Sequence, residues 1–347
     1  MAKRANVGKS TASRALGGYG SVSPDVRDRV LSAADELGYR PNELARSMNT
    51  GRSRTIGVIV GDIENPYFSV AMRGITDTAK ASGYDVILAN TSEDLEAEQH
   101  AVRVFLDKRV DAMIVAPSTA YQFGHLREVQ QLKRPLVLLD RSVPDLDAAA
   151  IQVAIAPAAF EATDLLIGLG HRRIAFISAL ITDGDRFAQI ETGVSSVSER
   201  LTGVVDALRS HDIEADPALM RFKADSETAT ARIVDELLGL EDPPTAIIAS
   251  DSNVAMSVLL ALQGRKIAVP DRMSLIAFDD APWARISNPP LTAITHPIYE
   301  AGAAAARTAL RLIDQLPPPG FELAARLTLR DSHGVPSSGP EPHGAQE

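Results

Sequence analysis

Apolar positions in this chain change their period at Thr55. Up to that point they recur at helical spacing. Gly8, Ala12, Ala15 and Leu16 fall on one face of a helix starting near Gly8, which leaves Ser10, Ser13 and Arg14 pointing away with Lys9 beside them. Ala2 and Ala5 read as the end of an earlier helix, and Asn6-Val7-Gly8 as the tight connection of a helix-turn-helix. Ser23-Pro24 predicts the next helix, serine as N-cap and proline at the first helical position; Val26, Val30, Ala33, Ala34 and Leu37 line its apolar face and Gly38 closes it. After Pro41, residues 42–49 predict a helix of about two turns, too short to be stable by itself in water. Its Leu44 and Met48 need a partner helix or a DNA groove.

From Thr55 the pattern becomes strand, helix, strand, helix. Short β-rich runs at 55–60, 85–90, 112–116, 136–140, 174–178, 246–250 and 274–278 alternate with helical segments near 67–82, 95–108, 121–131, 157–169, 198–210, 228–240 and 253–263. That alternation predicts two doubly wound parallel sheets, with a cleft where their strand ends converge. A further strand fits near Leu323 to Leu329, and residues 331–347, rich in Ser, Gly, Pro and His, read as a disordered tail.

Length and composition narrow the class. The 347 residues imply two or three domains, and no run of about 18 apolar residues suggests a membrane span or a leader. The absence of cysteine removes disulfides, thiolate metal sites and cysteine nucleophiles, and fits a reducing cytoplasm. Residues 1–54 carry ten Lys and Arg against five Asp and Glu, whereas the remainder carry 25 against 40. A basic first segment on an acidic body suits a polyanionic partner at that end; a solvated charged tail would show the same imbalance. Lys, Ser and Arg on the outer face of the helix at 9–17 suit phosphates and base edges, although any surface helix can carry them.

Five stretches in order resemble the lactose-repressor (LacI/GalR) family of bacterial transcription regulators: VGKSTASRALGG (7–18), ELGYRPNELARSMNTGRSRTIGVIV (36–60), DIENPYF (62–68), LGHRRIAFI (169–177) and NPPLTAITHP (288–297). The resemblance implies an all-α helix-turn-helix headpiece at 1–40, a hinge helix and linker at 41–54, and an α/β two-lobed core at 55–330 like that of periplasmic sugar-binding proteins. Lobe 1 would take about 55–153 and 284–315, lobe 2 about 154–283 and 316–330. The implied partners are a near-palindromic double-stranded DNA operator, a small sugar-like effector and a second copy of the chain. It further implies that Lys9 and Ser10 read bases, that Thr11, Ser13 and Arg14 touch bases or phosphates, and that Asn42, Ala45 and Met48 of the hinge helix meet DNA, with Met48 wedged into the minor groove. The family's first helix begins about eight residues before Met1, so an upstream start is expected, or else a weakened headpiece. Gly8 stands where the family usually has a serine cap.

In such a fold the effector lies between the lobes. Asn65 and Phe68 would supply an amide and an aromatic platform; Arg200 matches a family arginine that reaches the ligand; Asp140, Arg141, Asp251 and Asp279 follow strands that end at the same cleft. Each aspartate at a strand-to-helix junction is equally a helix cap. Ile155-Ala156 replaces the family's Asp-Asn, which removes one polar ligand contact. An enzyme is disfavoured: Val7 to Thr11 imitate a phosphate-binding loop, but Lys3 stands at its first glycine position and no strand precedes it. The seven histidines show no metal spacing and no serine sits in a nucleophile elbow, so no catalytic residue, metal or cofactor is expected. The rival reading is a cytoplasmic small-molecule-binding protein with impaired DNA binding.

Overall fold

The computed structural model describes residues 1–17, 20–39, 51–180 and 195–337. The expected hinge helix, with Asn42, Ala45 and Met48, lies outside them. In the headpiece, the Ala5 amide donates to the Met1 carbonyl, and the turn ends with Val7 N–H on Ala2 O and Asn6 N–H on Lys3 O while Asn6 adopts φ 51°. This paired closure around a left-handed residue is how many helices terminate. Helices α1 (Lys9–Gly17) and α2 (Pro24–Glu36) then pack a small core of Ala5, Ala12, Ala15, Val30 and Ala33. Ser23 holds the N-cap position without a side-chain bond, and Gly38, at φ +59°, closes α2 as the spacing predicts. Leu37, expected on the buried face, is 54% exposed because it caps α2 from outside the helical repeat.

The core holds two sheets. One runs β2 (Asp85–Asn90), β1 (Thr55–Val60), β3 (Ala112–Val115), β4 (Leu136–Leu139) and β5 (Ala149–Ile151), all parallel. Helices α3 (Pro66–Ala81), α4 (Leu95–Asp107) and α5 (Gly124–Gln131) connect its strands. The other begins with β7 (Met220–Arg221), β6 (Ile174–Ile177), β8 (Ala246–Ala249) and β9 (Ser274–Phe278). Parallel β10 (Thr292–Thr295) and antiparallel β11 (Arg326–Thr328) complete it. Helices α6 (Ala156–Gly168), α7 (Ser195–Ser210), α8 (Glu227–Leu238) and α9 (Ser252–Gly264) belong to this half. Strands β3, β4, β6, β8 and β9 are buried along their whole length, as strands covered on both faces must be, which explains their unbroken apolar runs.

Four features depart from the sequence expectation. Strand β10 pairs with β9, so residues 292–295 extend the second sheet, although the first lobe was expected to resume at 284. Helix α10 (Ile298–Ile313) returns to the first half and lies across α3 so closely that a Cβ on Gly302 would run into the Ala71 carbonyl, and one on Gly74 into Tyr299 O. Its alanine-rich buried face carried no helical assignment in the sequence. Strands β5 and β7 were likewise not anticipated. Finally, residues 331–337 of the expected disordered tail are docked: the fully buried Ser332 hydroxyl accepts from Thr292 N–H and donates to Leu275 O, while His171 bonds Gly334 O. Polar partners on the second sheet outweigh the tail's low hydrophobicity.

The chain therefore crosses between the halves three times, near 152–155, 296–297 and 314–325. The first and third crossings pair through Ala154 and Ala324.

Candidate effector cleft and DNA-facing helix

Helix α1 presents Lys9, Ser10, Ser13 and Arg14 exposed, with Thr11 half-buried, while Ala12 and Ala15 hold the helix to the headpiece core. The Gly8 carbonyl accepts the first helical bond, from Ala12 N–H at 2.9 Å, so glycine does the cap's backbone work without a side-chain oxygen. Nearby, Arg4 pairs with Glu36 at 2.8 Å, joining the first turn to the end of α2.

The linker is fastened to the first half. The buried Asp111 carboxylate accepts from Ser53 N–H and Arg54 N–H, both at 2.8 Å, and from the Ser53 hydroxyl at 3.1 Å. Arg52 reaches Asp314 at 3.0 Å, just past α10. Residues 52–54 thus tie the headpiece connection to the start of β3 and the end of α10.

At the opposite, C-terminal ends of the strands, side chains of both halves converge. Asp140 after β4 and Asp279 after β9 are counterparts: both adopt left-handed φ, 67° and 65°, and each gives its amide to the next strand, Asp140 to Ile151 O and Asp279 to Ile294 O. The Tyr67 hydroxyl donates to the Asp140 carboxylate; burial first, then this neighbour, holds the phenol well above its ordinary titration range. Tyr67 packs edge-on against Phe68, their centroids 5.3 Å apart. Arg141 gives Nη2 to Glu93 at 2.9 Å and Nη1 to Pro117 O at 3.0 Å. From the second half, Arg200 donates to Ser250 O at 2.7 Å and lies over the Phe278 ring. Burial pushes the Asp279 carboxyl up to about 6, against the pull of Arg200 and with the push of Asp140. His296, buried beside it, is pushed down to about 3 by burial and then by Arg200.

Each expected cleft residue has a definite place. Arg200, Asp140, Arg141 and Asp279 come together. Asp251 also lies there, but its Oδ1 caps α9 through Asn253 N–H and Val254 N–H, and burial raises its pKa. Asn65 caps α3, its Oδ1 accepting from Tyr67 N–H at 2.9 Å. Phe68 is buried in the core, packed edge-on against Tyr67. Ile155 is buried at the start of α6, so no polar group stands there. Tyr67 and His296 carried no assigned role, although both belong to quoted motifs, DIENPYF and NPPLTAITHP. Several buried polar atoms have no partner here: Asp279 Oδ1, both His296 ring nitrogens, Arg200 Nε and Ser252 Oγ. Orphaned polar groups at this density are a cost to the fold and a feature of binding sites.

Residues 1–42 match the bacterial regulatory proteins of the lacI family, and residues 163–333 match a periplasmic binding protein-like domain. The chain is 32% identical to the transcriptional repressor CytR of Escherichia coli, over 91% of this chain and 88% of that protein. It is 31% identical to catabolite control protein A of Priestia megaterium, over 88% and 89%. Among solved structures, the lac repressor dimer bound to operator and the anti-inducer ONPF superposes with a TM-score of 0.81 at 23% identity, covering 95% of this chain and 97% of that one. With its helix-turn-helix headpiece, fastened linker and two-sheet core, the chain belongs to the LacI family of bacterial transcription regulators.

Proposed function

We propose that this regulator is a repressor that grips a near-palindromic operator as a homodimer and lets go when a sugar-like effector enters the cleft. One observation carries the reading: buried polar groups of both halves meet beyond the C-terminal ends of the strands, five of their atoms without partners, while the linker to the DNA-facing helix is anchored where β1 and β3 begin. A polyhydroxylated molecule offers the alternating donors and acceptors that such groups need. Lys9, Ser10, Thr11, Ser13 and Arg14 read the major groove; two copies related by a two-fold axis read two half-sites. Asn42, Ala45 and Met48 belong to the minor-groove contact. Asn65, Phe68, Asp140, Arg141, Arg200, Asp251 and Asp279 surround the effector. The activity is binding, with no catalytic step, and its place is the cytoplasm with the chromosome. Among the described residues no helix is long and apolar enough to cross a membrane.

The test is operator binding. Affinity for the DNA upstream of the protein's own gene should fall by orders of magnitude between about 50 and about 200 mM salt, because phosphate contacts release counterions. A sugar that binds the core should weaken that affinity by about 5- to 150-fold, the range of ordinary allosteric coupling. Tighter DNA binding with ligand would make the effector a corepressor. Absence of binding even at low salt would leave a ligand-binding protein without DNA grip.

A further inference from the structure

The cleft holds more negative charge than its own cations offset. Among the described residues, Asp140, Asp251, Asp279 and Glu93 stand against Arg141 and Arg200. Glu93 occupies Arg141, which leaves Arg200, bonded to Ser250 O, as the cation acting on both Asp251 and Asp279. Asp279 Oδ1, buried without a hydrogen-bond partner, faces His296 Nδ1 at 3.8 Å, and both nitrogens of that ring are buried without one. Carboxylates withdrawn from water in this way demand a counter-charge.

We propose that the effector is an amino sugar whose ammonium group sits between the Asp279 carboxylate and the His296 imidazole. This rests on the cleft being the effector site. An ammonium has three donors and no acceptor, so it satisfies a carboxylate oxygen and an imidazole nitrogen together. The sugar hydroxyls then meet the donor Arg200 Nε and the hydroxyl of Ser252, both buried and unpartnered. Without ligand, burial pushes the Asp279 carboxyl up to about 6, so at neutral pH it is mainly ionised and open to an ammonium.

The experiment is calorimetric titration of the full chain with glucosamine, galactosamine and mannosamine. Glucose, galactose, mannose and N-acetylglucosamine serve as uncharged controls. One amine should bind at least about tenfold more tightly than its uncharged counterparts. Asp279→Asn should erase that advantage, and His296→Gln should reduce it several-fold in case the first variant folds poorly. Affinity for the amine should weaken between about pH 7.5 and about pH 5 as Asp279 takes up a proton. Tyr67, Asp140, Arg200, Asp251 and His296 face Asp279, and His296, pushed down to about 3, stays neutral over that interval. If an uncharged sugar binds as tightly as its amine, the ammonium assignment is overturned and the cleft reading stands. An amine preference that survives both substitutions overturns the placement. If neither set binds, the amino-sugar and sugar readings fail together.

Discussion

Arg14 is exposed on α1, free of the headpiece core that Ala12 and Ala15 build. A bidentate arginine–guanine contact is worth about 1–3 kcal/mol of discrimination. Arg14→Ala should therefore lose specific operator binding while keeping ligand affinity, and a gel-shift titration showing wild-type affinity would remove Arg14 from base reading. Arg200→Ala should do the opposite: it takes away Nε inside the cleft and strips a buried bond from Ser250 O. Calorimetry should record loss of ligand binding, with operator affinity retained but no longer responsive to ligand. The sequence showed which residue types end each strand. It did not show how their atoms divide between capping and binding. Asp251 and Asp279 both follow a buried strand, yet one gives Oδ1 to a helix start and the other leaves Oδ1 unpartnered.

Helix α10 is the element whose position organises the first half. It can lie on α3 only because Gly74 and Gly302 let the backbones meet, so Gly302→Val should cost about 1–3 kcal/mol in urea unfolding, as overpacking of a tight contact does. Gly168→Ala, at the end of α6 where a Cβ would meet nothing, should be neutral or stabilise by up to about 1 kcal/mol. Equal effects at the two glycines would contradict the close crossing. The linker gives a second test at this scale. Asp111→Ala removes the acceptor of three bonds from residues 53 and 54, and operator affinity should fall about tenfold or more while sugar affinity holds. Unchanged DNA binding would show that the anchor is dispensable.

Over the whole molecule, the parallel sheet puts its two ends to different uses. Asp111 and the residue 53–55 linker stand where β3 and β1 begin; Gly61 and the Pro117 carbonyl stand just past the ends of β1 and β3, and Asp140 past the end of neighbouring β4. A strand of four to six residues separates the two by about 13–20 Å. In the proposed function, a ligand that bridges Asp279 and Arg200 to Asp140 and Tyr67 would move one half against the other about the three crossings. His296 lies on the second of these, buried beside Asp279. The acidic body and basic headpiece place the polyanion at one end of the molecule, which is the basis of the expected salt dependence.

The amino-acid sequence by itself determined the helical headpiece, the alternation of buried strands with helices, and the basic-to-acidic division, because periodicity and composition are local properties. The tertiary structure decided what depends on residues far apart in the chain: β10 in the second sheet, α10 on α3, residues 331–337 against His171 and Ser274, and the meeting of Asp279 with His296. Helix α10 escaped the sequence pattern because its buried face is made of alanine and glycine, which carry little hydrophobic signal and are chosen for closeness. His296 escaped because a lone histidine acquires its chemistry only from its surroundings: burial, an unpaired carboxylate oxygen and an arginine from another helix.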